Sequence, residues 1–219
     1  MKLYFIDYLE ENLRKFEKLG TINELSTIFE LPLEETSKFD ERLKATSISL
    51  FEVYTVIANG FGLTWSKDKD SKQYIGGQLK FITIGQLTLS INEFYDLGLT
   101  DEDFTKNPKL KHYHILDQCT PETSCGFLIK PEGIDSTLYY ANSDMELFPL
   151  DLDYHGYTEM AVEAKVFYYW QLVLLHYNGT TELGKSETET FKKHMPELFP
   201  DFSWEKFIEK YENLRLSNK

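Results

Sequence analysis

The order of patterns along this chain predicts an α+β fold, with a mostly antiparallel central sheet flanked by N-terminal and C-terminal helices. Three observations carry that prediction. Apolar residues recur every three or four positions in the first 19 residues and again beyond residue 153, the helical period. Between these ends lie short runs rich in β-branched and aromatic residues, broken by Gly, Pro and Asn. The runs follow one another through short connections, which antiparallel pairs accept and parallel pairs do not.

Leu3, Ile6, Leu9, Leu13 and Phe16 mark a first helix over residues 1–19, and Gly20 stops it. Asn23–Phe29 is read as a short second helix broken at Leu31-Pro32, with Pro32 opening a third. Ser47–Ala58 is a strong helix with a broad apolar face, capped by Ser47 or Ser49 and ended at Asn59-Gly60. The pattern then changes. Phe61–Trp65 is extended, residues 66–72 form a polar loop, and Tyr74–Leu89 reads as strand with a bulge or tight turn at Gly76-Gly77. Ile91–Tyr95 is one helical turn, and Thr100–His112 reads as an inserted polar loop. Two or three strands follow: Gly126–Lys130 and Leu138–Ala141, with His114–Leu116 as the third, and Glu146–Leu150 adds a short one. Asp153–Tyr177 is helical with a bend near Lys165, and Asn178-Gly179 closes it. Glu187–His194 is a short helix ended by Pro196, and Ser203 leads into the last helix, Trp204–Leu214, with Glu205 in its first turn.

The chain of 219 residues reads as a single α+β domain over 1–219, with a helical extension over about 1–30 and a helical pair over about 186–215. Its 42% hydrophobic and 27% charged residues match a globular chain and exclude a disordered or collagen-like one. Lys and Arg number 23 against 36 Asp and Glu, a net charge of −13. That surface repels phosphate backbones, so nucleic acid is excluded as a partner. It suits a basic protein partner and steers encounter with one. The most apolar stretch, Val166–Leu175, is too short for a membrane span and is interrupted by Gln171. The first nine residues lack the apolar core of a secretory leader. Cys119 and Cys125 are the only cysteines and make no disulfide framework. A cytoplasmic location is expected, with no membrane contact.

Candidate chemistry is sparse. His112, His114, Cys119 and Cys125 are zinc-competent types, but their spacing matches no structural zinc pattern, so no metal or cofactor is assigned. Asp151 and Asp153 form a carboxylate pair, and capping of the helix that follows explains it better than acid–base chemistry. Residues 66–72 lack the Gly and Glu of a calcium loop. Walker, G-x-S-x-G, H-E-x-x-H and dinucleotide motifs are absent, and no catalytic residue is assigned. Aromatics make up 15% of the chain, and Phe167, Tyr168, Tyr169 and Trp170 are consecutive, so they cannot share one helix face. Some are buried and some lie near the surface, where aromatics among acids anchor interfaces.

The segment SLFEVYTVIANGFGLTW (49–65) resembles the signature of the SUKH superfamily, in which a helix ends in an Asn-Gly turn and leads into the first strand. Leu31-Pro32-Leu33-Glu34 stands where that family carries a proline stretch, YIGGQLKFI (74–82) resembles its glycine-bearing strand, and FPLDLDYHGYTEMAVEAKVFYYWQ (148–171) its late segment. The likeness spans residues 24–175. The chain departs from the pattern in a longer first helix, a longer stretch between Pro32 and Ser47, an insertion at 96–120 and the C-terminal helices. The superfamily includes bacterial immunity proteins of polymorphic toxin systems and the yeast cell-wall assembly regulator. The resemblance implies a non-enzymatic protein-binding module of the immunity type, which neutralises a cognate toxin, a basic nuclease-like domain being the natural fit. The chain's own aromatic and acidic residues give the expected partner face: Trp65, Tyr74, Gln78, Tyr139 and Tyr140, ringed by Asp144, Glu146 and Asp151. The alternatives are an intracellular regulator or scaffold of the same fold, and a metal-dependent hydrolase using His112, His114 and carboxylates.

Overall fold

The computed structural model describes residues 4–29, 60–67, 75–87, 89–96, 98–131 and 133–219. It has the α+β class that the sequence predicts, with helices at both ends of an antiparallel sheet. The expected helices at Pro32 and over Ser47–Ala58 lie outside the described residues.

Helix α1 (Tyr4–Lys18) buries Leu9, Leu13 and Phe16, the face set by its apolar spacing. The chain then enters strand β1 (Glu24–Phe29), where a short helix over Asn23–Phe29 is expected from local pattern. β1 pairs residue for residue with β2 (Phe61–Ser66), from Glu24↔Ser66 to Phe29↔Phe61. A seven-residue helix is marginal on its own. A full ladder to a distant strand satisfies the same backbone groups and wins.

β2 pairs in turn with β3 (Gly76–Phe81) in unbroken register, including Trp65↔Gly77 and Ser66↔Gly76. No bulge sits at Gly76-Gly77. The glycines serve close approach instead, because a Cβ on Gly77 would overlap the Trp65 indole nitrogen and the Val166 carbonyl. β3 ends at Phe81 rather than running on to Leu89, and two short helices follow: α2 (Ile84–Leu87) and α3 (Ile91–Tyr95). The stretch expected to be loop holds α4 (Asp101–Lys106) and a 3-10 turn over Pro108–His112. Thr100 and Asp103 form a capping box that starts α4, a signal that the polar composition masks.

β4 (Tyr113–Asp117) is buried at all five positions and pairs with β5 (Ser124–Lys130), with a register shift between Ile115 and Asp117. β6 (Gly133–Ile134), β7 (Tyr139–Ala141) and β8 (Leu147–Pro149) complete the sheet. Its order is β1-β2-β3-β4-β5-β7-β8, with β6 beside β5.

The helix expected over Asp153–Tyr177 is two helices, α5 (Tyr154–Glu163) and α6 (Trp170–Tyr177). Asp153 caps α5 by accepting the Gly156 amide at 2.7 Å, as its position predicts. Between the helices, Lys165, Val166 and Tyr169 adopt φ of 51°, 49° and 63°. Left-handed backbone costs about 1–3 kcal/mol per residue outside glycine, and most for a β-branched one such as Val166. The segment recovers this by completing β3, whose ladder with β4 joins only Phe81 to Asp117. Gln78 N–H donates to Val166 O at 2.8 Å, Tyr168 N–H to Gly76 O at 3.0 Å, and the Trp65 indole N–H to Lys165 O at 2.6 Å. α7 (Lys185–Leu198) runs through Pro196 instead of ending there, and α8 (Trp204–Leu214) matches its expected bounds with Ser203 as its cap. Among the described residues no helix is long and apolar enough to cross a membrane.

Candidate functional site

A groove of about 850 Å³ lies where the end of the β4–β5 connection, the β7–β8 turn, the start of α6 and the start of α7 meet. Six carboxylates line it among the described residues: Glu122, Asp144, Glu146, Glu182, Glu187 and Glu189, against one ammonium, Lys185. Local chemistry sets the rim. Asn142 accepts the Asp144 and Glu146 amides at 3.0 and 2.8 Å, and its own amide holds the Glu146 carboxylate at 2.9 Å. That fold of the turn presents Asp144 and Glu146 side by side. Gly184, at φ 92°, opens α7, and a Cβ there would crowd the Leu172 carbonyl, so the chain carrying Glu182, Leu183 and Glu187 turns tightly onto α6.

Apolar surface stands among the acids. Tyr169 is 38% exposed and Leu183 46% exposed, two of the large hydrophobic side chains left open to solvent. Burial, then the charges of Glu122 and Glu187, raise the Tyr169 hydroxyl above its ordinary range, so it remains a neutral donor among carboxylates. The left-handed backbone at Tyr169 lets its side chain leave the line of α6 while Trp170 beside it turns into the core.

The residues expected to form one partner face do not share it. Tyr140, Asp144 and Glu146 line the acidic groove. Tyr140 lies at its floor, almost wholly buried, with its hydroxyl pushed up chiefly by burial. Trp65 is 2% exposed and packs on Phe199 at 5.4 Å and Phe167 at 6.0 Å, so it is a core residue and not a surface anchor. Gln78 lines a separate depression of about 220 Å³ on the β1–β3 face and donates to the Gln118 carbonyl at 2.8 Å. Tyr139 is buried under the Lys109 ammonium and donates to Asp135. Tyr74 lies outside the described residues. Asp151, at φ 59°, faces the C-terminal tail: it accepts Arg215 Nε at 2.8 Å and the Ser217 amide at 3.0 Å. Burial pushes its carboxyl up, but the bonds from Ser217 and Arg215 outweigh that and hold it below the usual range. Sequence reasoning missed Tyr169, Leu183 and the α7 acids as members of the same site. The run Phe167–Trp170 held the signal for Tyr169, since four consecutive aromatics cannot all be core.

The Cys119 and Cys125 thiols lie against each other, but the four zinc-competent side chains do not gather at one point. No group of three or more His, Cys, Asp or Glu side chains among the described residues could hold a metal ion. His114 is buried and its Nδ1 donates to the Leu87 carbonyl at 3.1 Å, whereas His112 sits on the 3-10 turn. Cys119 and Cys125 are buried free thiols. Burial raises the Cys119 thiol far above the usual range, which keeps it protonated and unreactive.

Comparison with family models, with curated proteins and with solved structures finds no match to this chain.

Proposed function

We infer that this protein is a non-enzymatic binding module of the immunity type, acting in the cytoplasm, which captures the basic domain of a cognate toxin in its acidic groove. The observation that carries the reading is the groove itself, where six carboxylates surround the exposed Tyr169 and Leu183. Dense negative charge accelerates encounter with a cationic surface, and apolar anchors at the centre hold the complex after water is excluded. The likeness of residues 24–175 to the SUKH pattern supports the same reading. A basic nuclease domain supplies the complementary chemistry, because it must carry cationic residues to hold phosphates.

The test has two stages. The tagged chain is used as bait in the source lysate, and the captured protein is identified by mass spectrometry. Its affinity is then measured for the wild type, Tyr169→Ala and Glu187→Lys at low and high salt. A basic toxin domain whose affinity falls tenfold or more in each variant, and falls with salt, supports the reading. A partner that binds both variants as tightly as the wild type rules out the groove. A non-toxin partner that does use the groove moves the reading to a regulator of the same fold.

A further inference from the structure

The sheet ends on two unlike edges. β8, the last strand of the order, has three residues and finishes at Pro149, which has no N–H to offer a further strand. β1, at the opposite end, has six residues, Glu24–Phe29, with no proline, no lysine and no bulge. Its Thr27, Ile28 and Phe29 are strand-forming types. Alternate residues turn their N–H and C=O to the same side, so pairing with β2 leaves the other set facing outward. Among the described residues, 25–28 bond to no backbone but that of β2, and Ser26 and Ile28 are exposed, Ile28 by 62%. A bare edge of this kind is a template for a further strand.

The start of β1 adds charge to that edge. A hollow of about 470 Å³ opens there, lined by Glu17 of α1, by Asn23, Glu24 and Ser26, and by Thr64 and Ser66 of β2. Glu24 lies opposite Ser66 and shares the exposed face of Ser26 and Ile28. Leu25 packs on the core from the other face, the side where Trp65 and the α1 residue Phe16 both meet Phe199. Glu17 reaches the hollow from that side, so one carboxylate flanks the edge from each face. Glu17 also meets Arg14 at 3.6 Å, an exposed pair worth little. Ser66 is 5% exposed, and its Oγ, on the Glu24 face of β2, has no hydrogen-bond partner. A buried hydroxyl so placed costs free energy that an incoming polar group recovers.

We propose that β1 is a strand-addition site for an extended segment of a basic protein, which pairs antiparallel with β1 and carries two consecutive basic residues at its C-terminal end. Antiparallel pairing continues the sheet, whose described pairs all run that way. It brings the C-terminal end of the segment beside Glu24. Two adjacent basic residues there point to opposite faces, one toward Glu24 and one toward Glu17. β-branched residues before them pack along Ile28. Backbone bonds supply affinity, and the paired charges fix the register. The acidic groove lies by the β7–β8 turn, toward the other end of the sheet order, so this site is independent of the partner assigned there.

The probe is a fluorescent peptide, Thr-Val-Thr-Val-Thr-Lys-Lys, titrated into the whole protein and read by anisotropy. Saturable binding tighter than about 1 mM is expected. Glu24→Lys, exchange of both peptide lysines for glutamates, and high salt are each expected to weaken it tenfold or more. Two further peptides carry N-methyl groups on alternate residues, one set each. Only one set of amides faces β1, so one peptide is expected to lose tenfold or more and the other to bind as the parent does. Amide exchange at residues 25–28 is expected to slow severalfold in the complex. Absence of saturable binding, equal behaviour of the two methylated peptides, or slowed exchange at the acidic groove instead of β1 overturns the proposal. So does a dimer that sediments without peptide and is broken by Ile28→Lys, which gives the edge to a second copy of the chain.

Discussion

Two buried regions of this molecule are packed by opposite means. Around Phe191 on α7, the rings of Phe167, Phe202, Trp204 and Phe207 lie 5.0–6.4 Å away, mostly edge to face. Around Asp117, the contacts are hydrogen bonds among a carboxylate, a phenol, an amide and a thiol. Among the described residues the ring cluster has no ionisable group at its centre, only the Lys192 ammonium over its Trp204 edge, so its stability should be unchanged between pH 5 and pH 8. The polar centre holds a group whose charge state depends on burial, so its stability follows the proton. The same fold thus contains a packing that depends only on shape and another that depends on shape and charge together.

The largest expected effect breaks the first region. Phe191→Ala removes a fully buried ring and should cost about 3–5 kcal/mol, measured by urea unfolding. Its stability loss should be the same at pH 5 and pH 8, which distinguishes it from changes at the polar centre. A loss that varies with pH would show that the two regions are coupled.

The next effect reads the second region. Asp117 has its folded value raised to about 6 from an unfolded value near 3.8. The folded state therefore holds the proton longer than the unfolded one. Stability is full below about pH 4, falls as pH rises through 6 and then levels, a loss of about 3 kcal/mol. Asp117→Asn should flatten that part of the curve. Equal curves for the two proteins would mean that burial does not lift the Asp117 carboxyl above its unfolded value.

Smaller effects come from the supports of each region. Asp153→Ala removes the cap of α5, the helix that carries Tyr157, and should cost about 1 kcal/mol by thermal or urea unfolding. Arg215→Ala removes the guanidinium bond from the tail to Asp151, leaving those of Leu216 and Ser217, and should cost about 1 kcal/mol near neutral pH. Asp151 has the opposite sign to Asp117. Its carboxyl is held below the usual range, so its contribution is present above about pH 4 and is lost as pH falls through the lowered value. The cost of Arg215→Ala should shrink in acid, where the cost of ionising Asp117 also disappears.

Much of the architecture was legible residue by residue. α1 and α8 show their apolar period, Ser203 and Asp153 announce helix starts, and β5 and β7 stand out as short runs between turn residues. The acidic groove was half legible: Asp144, Glu146 and Tyr140, expected on one face, line it together, although Tyr140 is buried beneath it and not an exposed anchor. Leu183, Glu187 and Glu189 were not expected there, because about 40 residues and two helices, α5 and α6, separate them from the β7–β8 turn. Trp65 reads as an anchor in sequence and is a core ring in space, since exposure of an aromatic is set by what packs over it.

The sequence by itself determined the α+β class, the net acidity of the chain, and the helices whose hydrogen bonds close within four residues. The tertiary structure alone decided that residues 24–29 are a strand, that the helix after Asp153 breaks to complete β3, and that Asp117 meets Tyr157 and Gln171. The physical reason is range. Helical bonds and caps are local and leave a period in the chain. Strand ladders and buried polar contacts join residues dozens of positions apart, and no local pattern records the partner.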